Sequence, residues 1–470
     1  MEHKFDMTIG GKPVAAKHYT PIRNPSTGSI VGHAAAGDVT HLHAAIAAAA
    51  EAFETWRSSS EPERRDACRA IAKVCLDNAA ELAELLTLEQ GKPLKGLGSE
   101  FELGGCAAWA NGTADLSLPV KVLQDNERGR IEMHRMPIGV VGSITPWNWP
   151  LMIAIWHLVP AIRTGNTVVI KPSPFTPLST LRLVQLINDV LPAGMVNVIS
   201  GGDELGASLS RHPAVRKMVF TGSTATGRKV MESAAASLKL LTLELGGNDA
   251  GIVLPDADPK AIAERLFWGA FINSGQTCGA LKRLYVHDSI YSATCDALVD
   301  VANNVKMGDG MDTTNVLGPI QNERQFKRVV DLVDEARASG ATILTGGQPL
   351  GLGYFYPVTL VADIREGTRL VDEEQFGPVL PIIRYSDVDD AVRRANGTEF
   401  GLDASVWGTN QAAARLVAQK LEAGTVWINK HAEIAPHVPM GGIKSSGIGV
   451  EFGEDGLAAY TTVKIINAAP

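Results

Sequence analysis

The chain has 470 residues, with 45% apolar and 20% charged side chains and a formal net charge of −8. That length exceeds one ordinary core and predicts two or three domains of globular composition. The mild negative charge and the absence of any Lys/Arg run exclude a nucleic-acid partner.

The five cysteines, Cys68, Cys75, Cys106, Cys278 and Cys295, are scattered, odd in number and never form Cys-x-x-Cys. This argues against a disulfide framework or a zinc site and for a reducing compartment. The start, Met1 to Asp6, carries no apolar signal core, so the protein reads as cytoplasmic.

From about residue 40 to 90 the pattern is helical, with Thr40 as N-cap and Gly91-Lys92-Pro93 as stop. Val120–Arg135 reads as a polar hairpin turning at Asp125 to Gly129. Pro137 to Ile162 carries no Asp, Glu, Lys or Arg and is long enough to cross a bilayer. Pro146, Asn148 and Pro150 interrupt it, and freed backbone groups are costly in lipid. It reads instead as a buried strand over Ile138–Ile144, a sharp turn and a buried helix from Pro150, so no membrane partner is expected.

Further β-branched runs occur at Val140-Val141, Thr167–Ile170, Val196–Ile199 and Met218–Phe220. Helical stretches at Pro150–Thr164, Pro177–Val190 and Thr226–Leu240 separate them. The alternation predicts an α/β fold with a parallel sheet, ligands binding beyond the carboxyl ends of its strands. A second α/β region begins near Gly246, with strands at Gly251–Leu254, Leu284–Val286, Val379–Ile383 and Ala404–Trp407. Its helices fall near Asp258–Phe271 and Gln325–Ser339. The last strand, Thr462 to Asn467, can pair with the hairpin or with another subunit.

Several segments carry chemistry. Asn148 sits between Trp147 and Trp149 on a proline-stiffened turn, where its amide suits an oxyanion donor; the alternative is a turn residue bonding its own backbone. Lys171 ends a strand and reaches a ribose hydroxyl or phosphate, or is simply solvated. Phe220 to Gly227 joins a strand to a helix whose first amides favour phosphate. Arg228 and Lys229 break the P-loop pattern there, leaving an ordinary capped turn as the alternative. Glu244 in Leu-Glu-Leu-Gly-Gly and Cys278 in Gly-Gln-Thr-Cys-Gly are flanked by glycines that expose them. Together they suggest a covalent thiol catalyst with a base for water, against a structural Cys and an ordinary Glu. His431-Ala432-Glu433 resembles the His-x-Glu of zinc deaminases, but no Pro-Cys-x-x-Cys follows. Even with His437, these groups read as a loop near a substrate mouth rather than as metal ligands.

In order, these segments resemble the aldehyde dehydrogenase superfamily. The resemblance rests on Thr145–Pro150, Gly165–Pro172, Phe220–Ser223, Glu244–Gly247, Gly275–Cys278, Glu374–Pro378 and Pro439–Gly447. Glu244 and Cys278 are 34 positions apart, similar to the spacing in hydrolytic members. The resemblance implies that Cys278, as thiolate, attacks an aldehyde, and that Asn148 and the Cys278 N–H hold the oxyanion. One such donor contributes about 3–4 kcal/mol. Glu244 would then activate the water that hydrolyses the thioester. The cofactor-binding positions it implies are Ile144, Trp147, Lys171, Gly206, Gly222, Ser223, Glu374 and Phe376. Lys171 would meet the adenosine ribose, Ser223 the pyrophosphate and Glu374 the nicotinamide ribose.

The fold it implies is a Rossmann-like nucleotide-binding domain (1–119 and 138–245), an α/β catalytic domain (246–455) and a small β oligomerisation element (120–137 and 456–470). That element would build homodimers or homotetramers. Pro174 stands where many NAD-preferring members carry a glutamate that repels a 2′-phosphate. NAD use with NADP tolerated is therefore expected. Asn248 replaces a frequent lysine, with no role evident. Trp149 and Trp156 match aromatic pocket positions, and Met440 replaces a common phenylalanine, which points to a medium apolar or aromatic aldehyde. The rival readings are CoA-dependent acylation, disfavoured by Glu244, a P-loop hydrolase, and an inactive structural member of the fold.

Overall fold

The computed structural model describes residues 3–470. Its first large sheet has five parallel central strands in the order Leu240–Glu244, Val215–Thr221, Val140–Ile144, Thr167–Lys171 and Val196–Val198. The strand order reverses between Val140–Ile144 and Val215–Thr221, which opens a crevice at the carboxyl ends of those two strands. Short antiparallel strands close both edges: Met7–Ile9 with Lys12–Val14 on one side, Gly447–Ile448 on the other. Strands of two or three residues give no readable alternation, which is why the sequence does not announce them.

The helical pattern between residues 40 and 90 resolves into three helices, Val39–Trp56, Glu61–Asp77 and Ala79–Gln90. The first is capped by Asp38 rather than Thr40, because the Asp38 carboxylate accepts from the Thr40 and His41 amides at 2.9 and 3.1 Å. A Ser60–Glu63 capping box restarts the chain, and Gly91, at φ 96°, ends the third helix at the expected place. The uncharged stretch is explained by Pro150–Arg163, which packs on the sheet with one face and on the helices Glu61–Asp77 and Ser99–Asp115 with the other. Among the described residues, no helix is long and apolar enough to cross a membrane.

The second large sheet runs Thr342–Thr345, Thr359–Ile364, Val379–Tyr385, Leu281–His287, Asp249–Val253, Asp403–Trp407 and Thr425–Ile428, parallel except at its first edge strand. The hairpin is present as Lys121–Asn126 and Gly129–Pro137, and Thr461–Ala468 pairs with its second strand, Ile465 opposite Met133.

One buried amide joins these parts. Asn166 Oδ1 accepts from the Ile138 and Gly139 amides at 2.6 and 3.0 Å, and its Nδ2 donates to Thr164 Oγ1 and to the Tyr460 carbonyl, each at 2.8 Å. It thus holds the start of the central strand Val140–Ile144 against the entry to the last strand. Asn166→Ala leaves four groups without this partner and is expected to cost more than about 2 kcal/mol in denaturant unfolding. Amide exchange over residues 461–468 should quicken; unchanged stability and exchange would contradict this role.

Candidate active site

The site begins where the chain leaves one large sheet for the other. Glu244 ends its strand, with its carbonyl accepting from the Gly222 amide at 3.0 Å. Leu243 and Glu244 pair with Ile448 and Gly447, so the segment Pro439–Gly447 singled out in the sequence runs beside the glutamate. Gly246 and Gly247 then thread a narrow passage. A Cβ on Gly247 would lie 2.9 Å from the Cys278 carbonyl oxygen, and one on Gly246 would lie 2.8 Å from Glu374 Oε2. Only glycines allow so close an approach, and this accounts physically for the Glu-Leu-Gly-Gly pattern.

Cys278 follows a strained loop. Asn273, Ser274 and Gly275 have φ values of 51, 55 and 72°, three consecutive left-handed residues. The first two cost about 1–3 kcal/mol each and persist only where the surroundings fix them. Here Ser274 Oγ donates to the Gly318 carbonyl at 2.7 Å, and Gln276 Nε2 donates to the carbonyls of Asn273 and Pro319 at 3.0 and 3.2 Å.

The Asn148 turn is fastened to this loop. Asn273 Nδ2 donates to the Asn148 carbonyl at 2.9 Å, and Asn148 Nδ2 donates to the Gln276 carbonyl at 3.0 Å, leaving its second N–H for a ligand. Trp149 Nε1 donates to Thr277 Oγ1 at 3.0 Å. Behind the turn, the buried Lys92 ammonium pairs with Glu102, donates to the Asn148 carbonyl at 2.8 Å and lies 3.6 Å from the centre of the Trp149 ring. Glu102 in turn accepts from the Leu151 and Met152 amides at 2.9 and 3.0 Å, capping the helix that follows. Sequence reasoning took Lys92 only as part of a helix stop and passed over Glu102.

The expected cofactor residues fall into four groups. A Cβ on Gly206 would contact Lys171 Cδ at 3.4 Å and Ile144 Cδ1 at 3.5 Å, so these three share one wall. Lys171 is buried, with a single weak acceptor, the Pro172 carbonyl at 3.3 Å. Burial pushes it down to about 8, and the Asp203 carboxylate opposes that shift. Pro174 is exposed. Gly222 and the exposed Ser223 precede the helix Thr224–Ala235, which Ser223 caps through the Thr226 amide at 3.3 Å. Trp147 meets Phe376 edge-on with 5.4 Å between ring centres. Glu374 accepts from the Gly247 amide at 3.1 Å and faces Lys282 at 3.5 Å. Asn248, unexplained by sequence, donates to the Val371 carbonyl at 2.9 Å and accepts from Arg283 at 2.7 Å through its own carbonyl, tying the site to the segment before Glu374.

Trp156 lies in an aromatic trio with Trp109 and Phe452, their ring centres 4.8 to 5.5 Å apart. Trp109 and Phe452 carried no local signal in the sequence. Met440 is half-buried, and its backbone pairs with that of Glu451 at 2.9 and 2.7 Å. His431 corrects an expectation: it does not line an open loop but is buried, bonded to Ser405 Oγ at 2.9 Å and packed on Trp427. Burial pushes its ring down to about 3, so it is neutral. Glu433 instead pairs with Lys430 at 2.8 Å, and His437 is exposed. Among the described residues, no cluster of three His, Cys, Asp or Glu is placed to hold a metal.

A further buried polar group lies under the strand switch. His157 contacts Ser143 Oγ at 2.8 Å, Thr221 Oγ1 at 3.0 Å and Glu451 at 3.3 Å. Glu451 faces Glu244, whose carboxyl is pushed well above the usual range by burial, with Glu451 and Asp403 adding to the shift. Burial also pushes the Cys278 thiol up to about 12; Lys282 opposes this, while Asp403, Glu244 and Asp249 reinforce it. Cys278 is therefore a thiol at neutral pH, and attack as a thiolate requires that its proton first be removed.

A family model described as the aldehyde dehydrogenase family matches residues 14–466. A probable aldehyde dehydrogenase from Pseudomonas sp is 41% identical, covering 98% of this chain and 94% of that protein. Phenylacetaldehyde dehydrogenase from Pseudomonas fluorescens is 38% identical over 97% of this chain and 94% of its own length. The NAD+ complex of aldehyde dehydrogenase from Bacillus cereus superimposes with a TM-score of 0.96 at 34% identity, over 99% of this chain and 97% of that one.

The thiol's position sets a pH dependence. Alkylation of Cys278 by iodoacetamide, followed by intact mass, should accelerate about tenfold per pH unit up to pH about 10 without reaching a plateau. A plateau below pH 8 would contradict the shift.

Proposed function

The chain belongs to the aldehyde dehydrogenase family, and we propose that it oxidises an aldehyde to the free carboxylic acid through Cys278, with water activated by Glu244. The carrying observation is the fastening of the Asn148 turn to the Cys278 loop while Glu244 faces the same thiol.

The residues present fit a nicotinamide dinucleotide. Lys171 is a buried cation with donors to spare, Gly206 leaves the wall beside it open, and Ser223 exposes a helix start at the strand switch. When bound, that cofactor accepts the hydride leaving the substrate carbon. NAD is the proposed cofactor, with NADP tolerated because Pro174 offers no carboxylate against a 2′-phosphate.

Cys278 Sγ gives up its proton to solvent and bonds to the aldehyde carbon, whose carbonyl π electrons move onto the oxygen to give a thiohemiacetal oxyanion. The oxyanion receives the free N–H of Asn148 and the backbone N–H of Cys278. Loss of hydride from that carbon leaves a thioester on Cys278. The Glu244 carboxylate takes a proton from water, the hydroxide adds to the acyl carbon, and the Cys278 sulfur departs as thiolate and recovers that proton from Glu244 as the carboxylic acid is released. Burial raises the Glu244 carboxyl well above its usual range, so once ionised it is a stronger base toward water than an ordinary carboxylate.

A medium apolar or aromatic aldehyde is the proposed substrate. The trio of Trp109, Trp156 and Phe452 supports this reading, as does similarity to a phenylacetaldehyde dehydrogenase. Trp149 and Met440 are proposed to contribute to the same pocket.

The proposed domain division is 1–119 with 138–245, 246–455, and 120–137 with 456–470; the two large sheets and the sheet of Lys121–Asn126, Gly129–Pro137 and Thr461–Ala468 support it, while Gly447–Ile448 crosses over to the first large sheet. Homodimers or homotetramers are proposed on the exposed Val463, Ile465 and Ile466 of the last strand, an outer strand of its sheet. Five free cysteines agree with a cytoplasmic setting.

An aldehyde panel with NAD and NADP, read by absorbance of the reduced nicotinamide, tests the activity. Cys278→Ala should abolish turnover, and phenyl-substituted or medium-chain aldehydes should lead the panel. Undiminished activity of the variant, or strict preference for an anionic semialdehyde, would defeat the reading. An NAD preference beyond about a thousandfold, roughly 4 kcal/mol, would refute NADP tolerance. Light scattering should return a dimer or tetramer; a monomer at micromolar concentration would refute the oligomer.

A further inference from the structure

Lys282 was not among the residues expected from the sequence, yet its ammonium is among the most enclosed polar groups near the nucleophile. The side chain is 2% exposed. Its Nζ donates to the Thr277 carbonyl at 2.9 Å and to the Cys278 carbonyl, faces Glu374 Oε1 at 3.5 Å and lies 5.9 Å from the Phe376 ring centre. Two buried carboxylates crowd the same loop. A Cβ on Gly279 would lie 2.5 Å from Asp403 Oδ2 and 3.9 Å from Asp249 Oδ2. Asp249 Oδ1 accepts from the Asp403 amide at 3.2 Å, while Asp249 Oδ2 and both Asp403 oxygens have no hydrogen-bond partner among the described residues.

The Thr277 carbonyl and the Cys278 N–H belong to one planar trans peptide, so they point in opposite directions. A cation fixed on the carbonyl therefore fixes the direction of the N–H. It also polarises the peptide and strengthens that N–H as a donor. We propose that Lys282 is a positioning residue for aldehyde oxidation, a buried cation that aims the Cys278 N–H at the oxyanion and links the nucleophile loop to Glu374. The inference rests on the function proposed above for Cys278.

The charged and titratable groups facing Cys278 are Lys282 at the start of the strand that follows it, Asp249 and Asp403 on strands of the same sheet, and Glu244 at the end of a strand of the other large sheet. Lys282 itself is faced by Glu374, Asp249 and Asp403 and by the neutral His431. Lys282 is the cation in this set, so removing it leaves the thiol among carboxyl groups alone. A residue that merely plugged the loop would alter stability on truncation without moving the thiol or selectively lowering kcat.

The test compares Lys282→Met and Lys282→Arg with the parent in the full-length protein. Lys282→Met should lower kcat at least about tenfold with KM changed by less than about threefold, as expected for a donor used in the transition state. Its Cys278 alkylation profile should move up by about one pH unit. Lys282→Arg, which keeps the charge, should recover most of both. Parent-like kcat and alkylation in a folded Lys282→Met would overturn the proposal. Should Lys282→Met lack a cooperative melt, Lys282→Arg decides alone: retention of both properties supports the proposal, and loss of both overturns it. The alkylation arm needs no substrate, so a parent without aldehyde oxidation would defeat the proposed function while leaving the role of Lys282 separately measured.

Discussion

One buried ammonium holds the site's framework in place. Lys92 joins Glu102, the Asn148 carbonyl and the Trp149 ring, and Glu102 caps the helix Pro150–Arg163. A charge so enclosed is costly unless every donor is used, and breaking such a pair from one side typically costs about 3–5 kcal/mol. The arrangement therefore admits little slack. The turn carrying Asn148 is fixed at its backbone, its helix is fixed at its first amides, and the loop carrying Cys278 is bonded to the turn at Asn148 and Trp149. Placement of the Asn148 amide relative to Cys278 follows from that chain of contacts.

The same enclosure governs reactivity. Around Cys278 and Glu244, burial raises both the thiol and the carboxyl, so the charged form of each is held at a higher free energy than in water. A dry site of this kind strengthens any charge that a ligand brings and restrains the thiol until then. The glycines of Gly246-Gly247 contribute sterically, letting the strand from Glu244 pass against the Cys278 carbonyl and Glu374. Geometry and electrostatics thus meet in the short crossing between the two large sheets.

Much of this was legible in the sequence because its signals are local. The parallel strands announce themselves through β-branched runs, and Asn148, Glu244 and Cys278 through the prolines and glycines beside them. The helix cap missed by two positions, Asp38 for Thr40, because either residue type can cap and only the hydrogen bonds decide. What stayed hidden is non-local. Lys92 and Glu102 lie 10 positions apart and act on Asn148, 56 positions after Lys92. Asp249 and Asp403 meet at Gly279 only because distant strands lie side by side. Trp109, Trp156 and Phe452 come from separate segments and form one apolar wall only after folding. His431 misled for the opposite reason: its neighbours suggest a polar loop, while the fold turns its ring inward onto Ser405 and Trp427.

The central claim is that Cys278 carries the acyl group and Glu244 brings the water that removes it. Rapid mixing of Glu244→Gln with aldehyde and NAD, followed by absorbance and intact mass, addresses this most directly. The account predicts one equivalent of reduced nicotinamide in a burst, then slow turnover, with the acyl mass retained on the peptide containing Cys278. Turnover at the parent rate with no acyl adduct would contradict it.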